Sequence, residues 1–177
     1  MLRIFLIAIS ALVVAVAGLL AYASITQPDT FRVQRTALIN APQDKIHGIL
    51  TDLRRGAEWS PFEKNKTMKK TFSGPEAGPG SALAWEGDSE SGAGKLTIAQ
   101  VTPSKITLNL DMIKPMSASN IVEYDLAAQG NATNVTWSMH GPMNIISKVM
   151  CTFTSLDKMI GGEMEKGLRD LDMLAQK

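Results

Sequence analysis

Residues 4–25 form an apolar run without a charged side chain, and this run constrains the chain more than any other feature. As a helix rising about 1.5 Å per residue, it spans about 33 Å, close to the hydrocarbon thickness of a bilayer. A core helix of a soluble protein keeps a polar stripe at helical spacing, whereas only Ser10 interrupts this run before Tyr22. The run therefore predicts a membrane-spanning helix.

A cleaved secretory signal is the alternative for the same run. Arg3 precedes it, and Ala21-Tyr22-Ala23 has the small residues of a cleavage site, so cleavage near Ala23 would release the protein to the periplasm. The run exceeds the roughly 7–15 apolar residues usual for a signal, which favours an uncleaved single-pass anchor in the plasma (inner) membrane. Arg32 and Arg35 follow it, but whole domains translocate largely regardless of charge. We expect an extracytoplasmic domain.

The remainder of the chain has the length of one domain. We predict an anchor over residues 1–27 and a single domain over residues 28–177, divided at Pro28 and Asp29. The net charge of +1 provides no field that attracts nucleic acid, so no nucleic-acid partner is expected. Cys151 is the only cysteine, which precludes an internal disulfide. Nothing in the sequence specifies the oligomeric state.

One local cluster of basic residues departs from this balance, although Glu58 and Glu63 lie between its members and dilute its charge. Two interpretations stay open: a solvated surface, or contact with anionic lipid headgroups beside the membrane. The cluster comprises Arg54, Arg55, Lys64, Lys66, Lys69 and Lys70.

Alternating apolar residues and turn signals predict seven strands in an antiparallel arrangement, because the links between most of them are short. One helix, over residues 42–53, separates the first strand from the others. The strands are expected at residues 31–39, 69–73, 81–86, 95–101, 106–112, 119–127 and 134–140.

A long amphipathic helix is predicted over residues 147–175, where apolar side chains recur every three or four positions. Its apolar stripe is suited to cover the apolar face of the sheet. Gly161-Gly162 falls in the middle of this helix, and we expect a kink or a close approach of the sheet there. The fold class is therefore α+β.

Several segments resemble bacterial START-like proteins of the SRPBCC superfamily, often labelled polyketide cyclase/dehydrase. They are residues 31–42, Trp59-Ser60-Pro61-Phe62-Glu63, Thr71-Phe72-Ser73-Gly74-Pro75, Trp85-Glu86-Gly87, Val135-Thr136-Trp137 and residues 157–162. The membrane-anchored subgroup is similar in its N-terminal helix too. The resemblance implies a helix-grip fold, in which the sheet wraps around the C-terminal helix and leaves a cavity for apolar ligands.

Large or pliable side chains on the inward strand faces and the helix stripe are suited to line such a cavity. A fully packed core is the alternative for the same residues. The candidate ligand-binding residues are Trp59, Trp85, Met112, Trp137, Met139, Phe153 and Met159.

Catalytic residues are scarce in the sequence. His140, at the end of a strand, and Glu86 are the candidates for acid–base work, and His47 lies on the first predicted helix of the domain. The chain has no HExxH spacing, no GxSxG elbow and no cysteine pair, so no metal site and no cofactor are expected.

Three functional hypotheses remain. The first is a membrane-tethered module that binds an apolar small molecule or lipid. The second is a cyclase or dehydratase acting on a polyketide-like substrate. The third is an envelope protein-interaction module with a closed core. The volume and polarity of the space between sheet and helix discriminate among them.

Overall fold

The computed structural model describes residues 1–65, 67–89 and 91–177. Its first element, α1 (Leu2–Thr26), has a mean hydropathy of 2.9 in its most apolar stretch and is exposed along most of its length. Ala23, in the last turn, is buried. By length and composition α1 is able to cross a membrane, a property that signal sequences share.

Seven antiparallel strands form one sheet in the order β1-β7-β6-β5-β4-β3-β2, which confirms the predicted arrangement. No predicted strand end is off by more than two residues. The strands are β1 (Thr30–Ile39), β2 (Lys69–Ser73), β3 (Ala82–Glu86), β4 (Ala93–Thr102), β5 (Lys105–Lys114), β6 (Ala118–Gln129) and β7 (Ala132–Pro142).

The strand register aligns the strand ends at two opposite ends of the sheet, each of which is called an edge here. The edge from which α1 leaves, here called the α1 edge, carries the start of β1 and the hairpin between β5 and β6. Its cross-strand pairs include Thr30 with Pro142, Met112 with Ala118 and Lys69 with Glu86. The opposite far edge carries the end of β1, where Ile39 lies opposite Thr133.

Two short helices connect β1 to β2. Helix α2 (Gln43–Thr51) lies at the far edge, where the Nε2 atom of His47 is 3.1 Å from the carbonyl oxygen of Thr102. The helix ends two residues before the predicted position because Asp52 begins a 3-10 turn and accepts a hydrogen bond from the Arg54 backbone N–H at 3.0 Å. Helix α3 (Gly56–Trp59) and a second 3-10 turn, Pro61–Glu63, follow.

The predicted C-terminal helix is two helices, α4 (Ile145–Phe153) and α5 (Leu156–Ala175), so a single helix starting at residue 147 was wrong. The backbone is extended at Thr154 and Ser155, whose hydroxyl groups compete for backbone hydrogen bonds and disfavour a helix interior. Apolar side chains keep their helical spacing across this break, so the periodicity does not reveal it.

Helix α5 grips the sheet along β1. It continues through Gly161 and Gly162 without a break, and the guanidinium of Arg35 on β1 occupies the space beside Gly161, which is the expected close approach of the sheet. Arg35 donates hydrogen bonds to Asp157 at 2.7 Å and to Glu165 at 2.6 Å. These contacts hold the first half of α5 against the middle of β1.

The hydrophobic core lies under the second half of α5. Met164, Leu168 and Leu171 are at most 1% exposed and pack against the inner face of the sheet and α2. At the far edge the backbone N–H of Asn40 donates to Asp172 Oδ1 at 2.7 Å. The far edge is therefore closed by packed side chains, unlike the α1 edge.

Candidate functional site

A cavity of about 550 Å³ lies between the sheet and the first half of α5, on the α1-edge side of the core. Its walls come from the inward faces of β3 to β7, the segment from α2 to the second 3-10 turn, and the starts of α4 and α5. Most lining side chains are apolar, including Leu83, Leu108, Val122, Leu156 and Ile160. The space is therefore suited to an apolar molecule.

Five of the seven predicted ligand-binding residues line this cavity: Trp59, Trp85, Met112, Trp137 and Met139. The other two differ from the prediction. Phe153 is 76% exposed and Met159 is 49% exposed, and neither lines the cavity. The break before α5 places Phe153 on a separate helix, and Met159 lies on the solvent side of α5, next to the lining residue Ile160.

An aromatic cluster forms the deep wall of the cavity. The ring of Trp137 lies 5.3 Å from Trp59, 5.5 Å from Tyr124 and 5.9 Å from Phe62, measured between centroids. The contacts with Trp59 and Phe62 are edge-to-face, the geometry that aromatic quadrupoles favour. All three tryptophans of the chain line the cavity, so their fluorescence reports on its contents.

Glu63 brings a carboxylate into this apolar space. Its side chain is 13% exposed and lies against Gly56, where a Cβ atom would occupy the position of the carboxyl group. The ammonium of Lys70 lies 3.2 Å from Glu63 Oε2 and donates to the Glu63 carbonyl oxygen at 2.7 Å. Burial raises the pKa of the Glu63 carboxyl, and the charge of Lys70 acts in the opposite direction.

Tyr124 lies on the same wall. Burial raises the pKa of its phenol far above the ordinary value, and the negative charge of Glu63 raises it further. Tyr124 is therefore a protonated hydrogen-bond donor at neutral pH.

The sequence interpretation placed Glu63 in a surface cluster and did not single out Tyr124. The segment Trp59-Ser60-Pro61-Phe62-Glu63 was the available signal, since the 3-10 turn after Trp59 turns Glu63 inward. The spacing of apolar residues alone does not predict that turn.

Two buried polar atoms belong to other residues of the cavity wall. Asn120 Oδ1 and Trp137 Nε1 are buried and have no hydrogen-bond partner among the described residues. An unsatisfied buried polar group costs about 1–3 kcal/mol. A small rearrangement that lets a ligand or a water molecule reach either atom would recover part of that free energy.

The two catalytic candidates lie on the outer, solvated face of the sheet. His140 Nε2 is 3.6 Å from Glu123 Oε2, and Glu123 is also 2.7 Å from the ammonium of Lys105. Glu86 is exposed and lies 3.3 Å from the ammonium of Lys114. Neither candidate lines the cavity. Within the described part of the chain, no group of three acidic, histidine or cysteine side chains is arranged to hold a metal ion.

The basic cluster is largely paired within the domain. Arg54 donates to the Glu76 carbonyl oxygen at 2.9 Å, and Arg55 lies 3.2 Å from Glu58. Lys64 pairs with Asp170 in the second half of α5, and Lys70 pairs with Glu63. Lys66 lies outside the described residues.

Comparison with known proteins places these features in a family. A family model described as polyketide cyclase / dehydrase and lipid transport matches residues 30–176. A sequence search of curated proteins gives no match.

Solved structures share the fold at low sequence identity. Protein CV1439 from Chromobacterium violaceum has a TM-score of 0.59 and 14% identity, over 85% of this chain and 99% of that chain. The ginseng major latex-like protein 151 from Panax ginseng gives 0.59 and 14%, over 85% and 100%. The Zhui aromatase/cyclase from Streptomyces sp. R1128 gives 0.60 and 13%, over 83% and 94%.

At these identities the structural likeness establishes the fold alone, an α+β helix-grip domain of the START-like (SRPBCC) type. The family model, however, extends from the start of β1 to the end of α5 and so covers the sheet, the cavity and the helix that closes it. The chain therefore belongs to the polyketide cyclase/dehydrase and lipid transport family.

Proposed function

We propose that this protein is a single-pass membrane protein whose domain holds an apolar small molecule or a lipid in the cavity between the sheet and α5. The observation that carries the proposal is the cavity of about 550 Å³, which lies within the size range of about 300–1,000 Å³ typical of ligand pockets. Three tryptophans and three methionines of its wall, together with the surrounding aliphatic side chains, match an apolar ligand in chemistry.

Contacts at the end of α1 support an anchor that stays attached. Ala23 is buried, and the last turn of α1 packs on α4. Asp29, in the link to β1, accepts a hydrogen bond from the Lys148 ammonium at 2.6 Å and one from the Met143 backbone N–H at 2.8 Å. Cleavage near Ala23 would remove the packing of α1 on α4 and leave only the contacts of Asp29. We therefore propose that α1 stays attached as a membrane anchor. The proposal places the domain on the extracytoplasmic side because whole domains translocate largely regardless of charge.

The cavity is tested by native mass spectrometry of the full chain purified in detergent, with collisional release of any bound molecule. Ala118 lines the cavity on β6, and Ala118→Phe fills part of it, whereas Ala128→Phe adds the same side chain at an exposed position of the same strand. We expect a small apolar molecule to accompany the wild type and Ala128→Phe, and to be reduced at least fivefold in Ala118→Phe. Equal amounts of detergent and lipid on all three proteins, with no specific adduct, would overturn the proposal.

The anchor is tested separately by membrane washing and intact mass. We expect the full chain to stay in the membrane pellet through an alkaline carbonate wash, with an intact mass corresponding to the complete 19.1 kDa polypeptide. A soluble product that begins after Ala23 would show that α1 is a cleaved signal.

Catalysis is the second candidate function, and the Glu63 carboxylate in the cavity favours it. A carboxyl group with a raised pKa can donate or accept a proton near a bound molecule, and the Tyr124 phenol can donate a hydrogen bond to a carbonyl oxygen. The test uses an N-acetylcysteamine thioester of a 3-hydroxy fatty acid, with the appearance of the enoyl thioester as readout. Turnover that Glu63→Gln abolishes and His140→Ala leaves intact would support catalysis. No turnover by the wild type would exclude this reaction.

A further inference from the structure

Exposed apolar side chains collect at the α1 edge of the sheet, next to the end of α1. Three belong to the outward face of α4, at the helical spacing i, i+4 and i+7: Ile146, Met150 and Phe153. Ile145, at the start of α4, is exposed next to them, and Ile113, near the end of β5 at the same edge of the sheet, is exposed as well. We call these five side chains the apolar rim.

The opposite face of α4 is tied to the anchor. Lys148 is buried, and its ammonium pairs with Asp29, three residues after α1 ends. Helix α4 also packs directly on α1. Because of these contacts, α4 is held beside the end of α1, the point at which α1 would leave a bilayer.

The mouth of the cavity is built from the same elements. Phe31 at the start of β1, Pro142 at the end of β7, Ser147 on α4 and Leu156 at the start of α5 all line the cavity and all reach solvent. In the aromatic wall, by contrast, Trp59, Tyr124 and Trp137 are buried, and only Phe62 is exposed. The cavity therefore reaches the surface beside α4 and the apolar rim.

We propose that the apolar rim inserts into the membrane interface beside α1, so that the mouth of the cavity faces the lipid phase. This proposal rests on the proposed anchoring by α1. The occupant of the rim is a bilayer because the rim adjoins a helix able to span one and because an exposed apolar helix face next to such a span gains free energy by leaving water. The ligand then exchanges with the bilayer without crossing the aqueous phase.

The test uses the full chain with Cys151→Ser, reconstituted in phosphatidylcholine vesicles and labelled with the fluorophore NBD at single cysteines. Phe153→Cys and Ile146→Cys place the label on the apolar rim. Met173→Cys is the matched control, because Met173 is also an exposed apolar residue. It lies near the C-terminal end of α5, about 25 Å from the start of that helix. Val14→Cys places the label within α1.

We expect phosphatidylcholine with a shallow doxyl spin label to quench NBD at positions 146 and 153 at least threefold more strongly than at position 173. Equal quenching at 146, 153 and 173, with position 14 quenched by a deep doxyl label, would overturn the proposal and leave the anchor intact. If position 14 is not quenched either, the anchor itself is wrong and the proposal falls with it.

Discussion

The two halves of α5 belong to one helix with one continuous apolar stripe, yet one half packs into a solid core and the other faces a cavity. In the second half, Met164, Leu168 and Leu171 are buried in a packed core. In the first half, Leu156 and Ile160 face a cavity and remain half-buried. The difference comes from the surroundings, since α2 fills the space under the second half and nothing comparable fills the space under the first. An amphipathic stripe thus predicts which face a helix buries but not whether that face meets a solid core.

The largest expected change in the free energy of unfolding distinguishes the two halves of α5. Leu168→Ala removes a fully buried side chain from the packed half and is expected to lower the free energy of unfolding by about 2–5 kcal/mol. Leu156→Ala enlarges a space that already exists and is expected to cost about 1 kcal/mol. Urea unfolding of both variants measures the contrast, and equal losses would mean that the first half is as tightly packed as the second.

Two glycines of α5 differ in the space beside them. A Cβ atom at Gly167 would lie 2.7 Å from the Trp137 ring and 2.9 Å from Pro61 Cδ, whereas nothing lies within 4 Å at Gly162. Gly167→Ala is therefore expected to destabilise the domain by about 1–3 kcal/mol through overpacking. Gly162→Ala is expected to stabilise it by about 0.5–1 kcal/mol, because alanine is the better helix former. Thermal unfolding with the same sign of shift for both would contradict the packing described around Trp137.

The cavity wall also contains the carboxyl group of Glu63, which makes the stability of the fold depend on pH. The pKa of Glu63 is raised in the folded state, mainly by burial, so its protonated form is favoured by folding. That stabilisation is complete below the unfolded pKa and is lost as the pH rises through the folded value. Glu63→Gln should therefore gain stability relative to the wild type between pH 4 and pH 8, measured by urea unfolding. A difference in unfolding free energy between Glu63→Gln and the wild type that stays constant over this range would show that burial does not raise the pKa of Glu63.

Removing the partner of Glu63 should enlarge this dependence. Lys70→Met leaves the carboxylate without its cation and raises the pKa of Glu63 further, so stability falls more steeply with pH than in the wild type. The double variant Lys70→Met with Glu63→Gln is the control and should show no such fall.

The smallest effect is expected at the ion pairs of Arg35 on β1 with Asp157 and Glu165 on α5, here called the clamp. The hydrogen bonds from Arg35 lower the pKa of Asp157, so the clamp stabilises the fold above the ordinary carboxyl range and loses that contribution as the pH falls. Asp157→Asn should therefore lower the Tm slightly at pH 7 and less at pH 3, because the contribution of Asp157 is lost as the pH falls through its lowered folded-state pKa. Because Asp157 is exposed, the change is expected to be smaller than those above. A larger loss at pH 3 than at pH 7 would reverse the assignment.

The sequence was sufficient to predict the seven strands, their antiparallel arrangement and the helix that covers them, because period-two and helical spacings are local properties of the chain. It did not reveal the break at Thr154 and Ser155, since the apolar spacing continues across it. This is also why Phe153 was placed in the cavity and lies instead on the surface.

The site was predictable in its apolar part and not in its polar part. Trp85, Trp137 and Met139 were identified because inward-facing positions of strands follow from alternation. The inward turn of Glu63 depends on a 3-10 turn and on the space left by Gly56, which are tertiary features. His140 and Glu86 were chosen for their chemistry, but they occupy the outer face of the sheet.

The most direct test of the cavity as a binding site is the quenching of tryptophan emission by a spin-labelled fatty acid, 16-doxylstearic acid, added to the full chain in detergent. Since Trp59, Trp85 and Trp137 all line the cavity, we expect saturable quenching of most of the emission in the wild type and in Ala128→Phe. We expect at least a fivefold weaker apparent affinity in Ala118→Phe. Quenching that is linear and identical in all three proteins would mean that the quencher meets these tryptophans only through the micelle, and the cavity would not be a binding site.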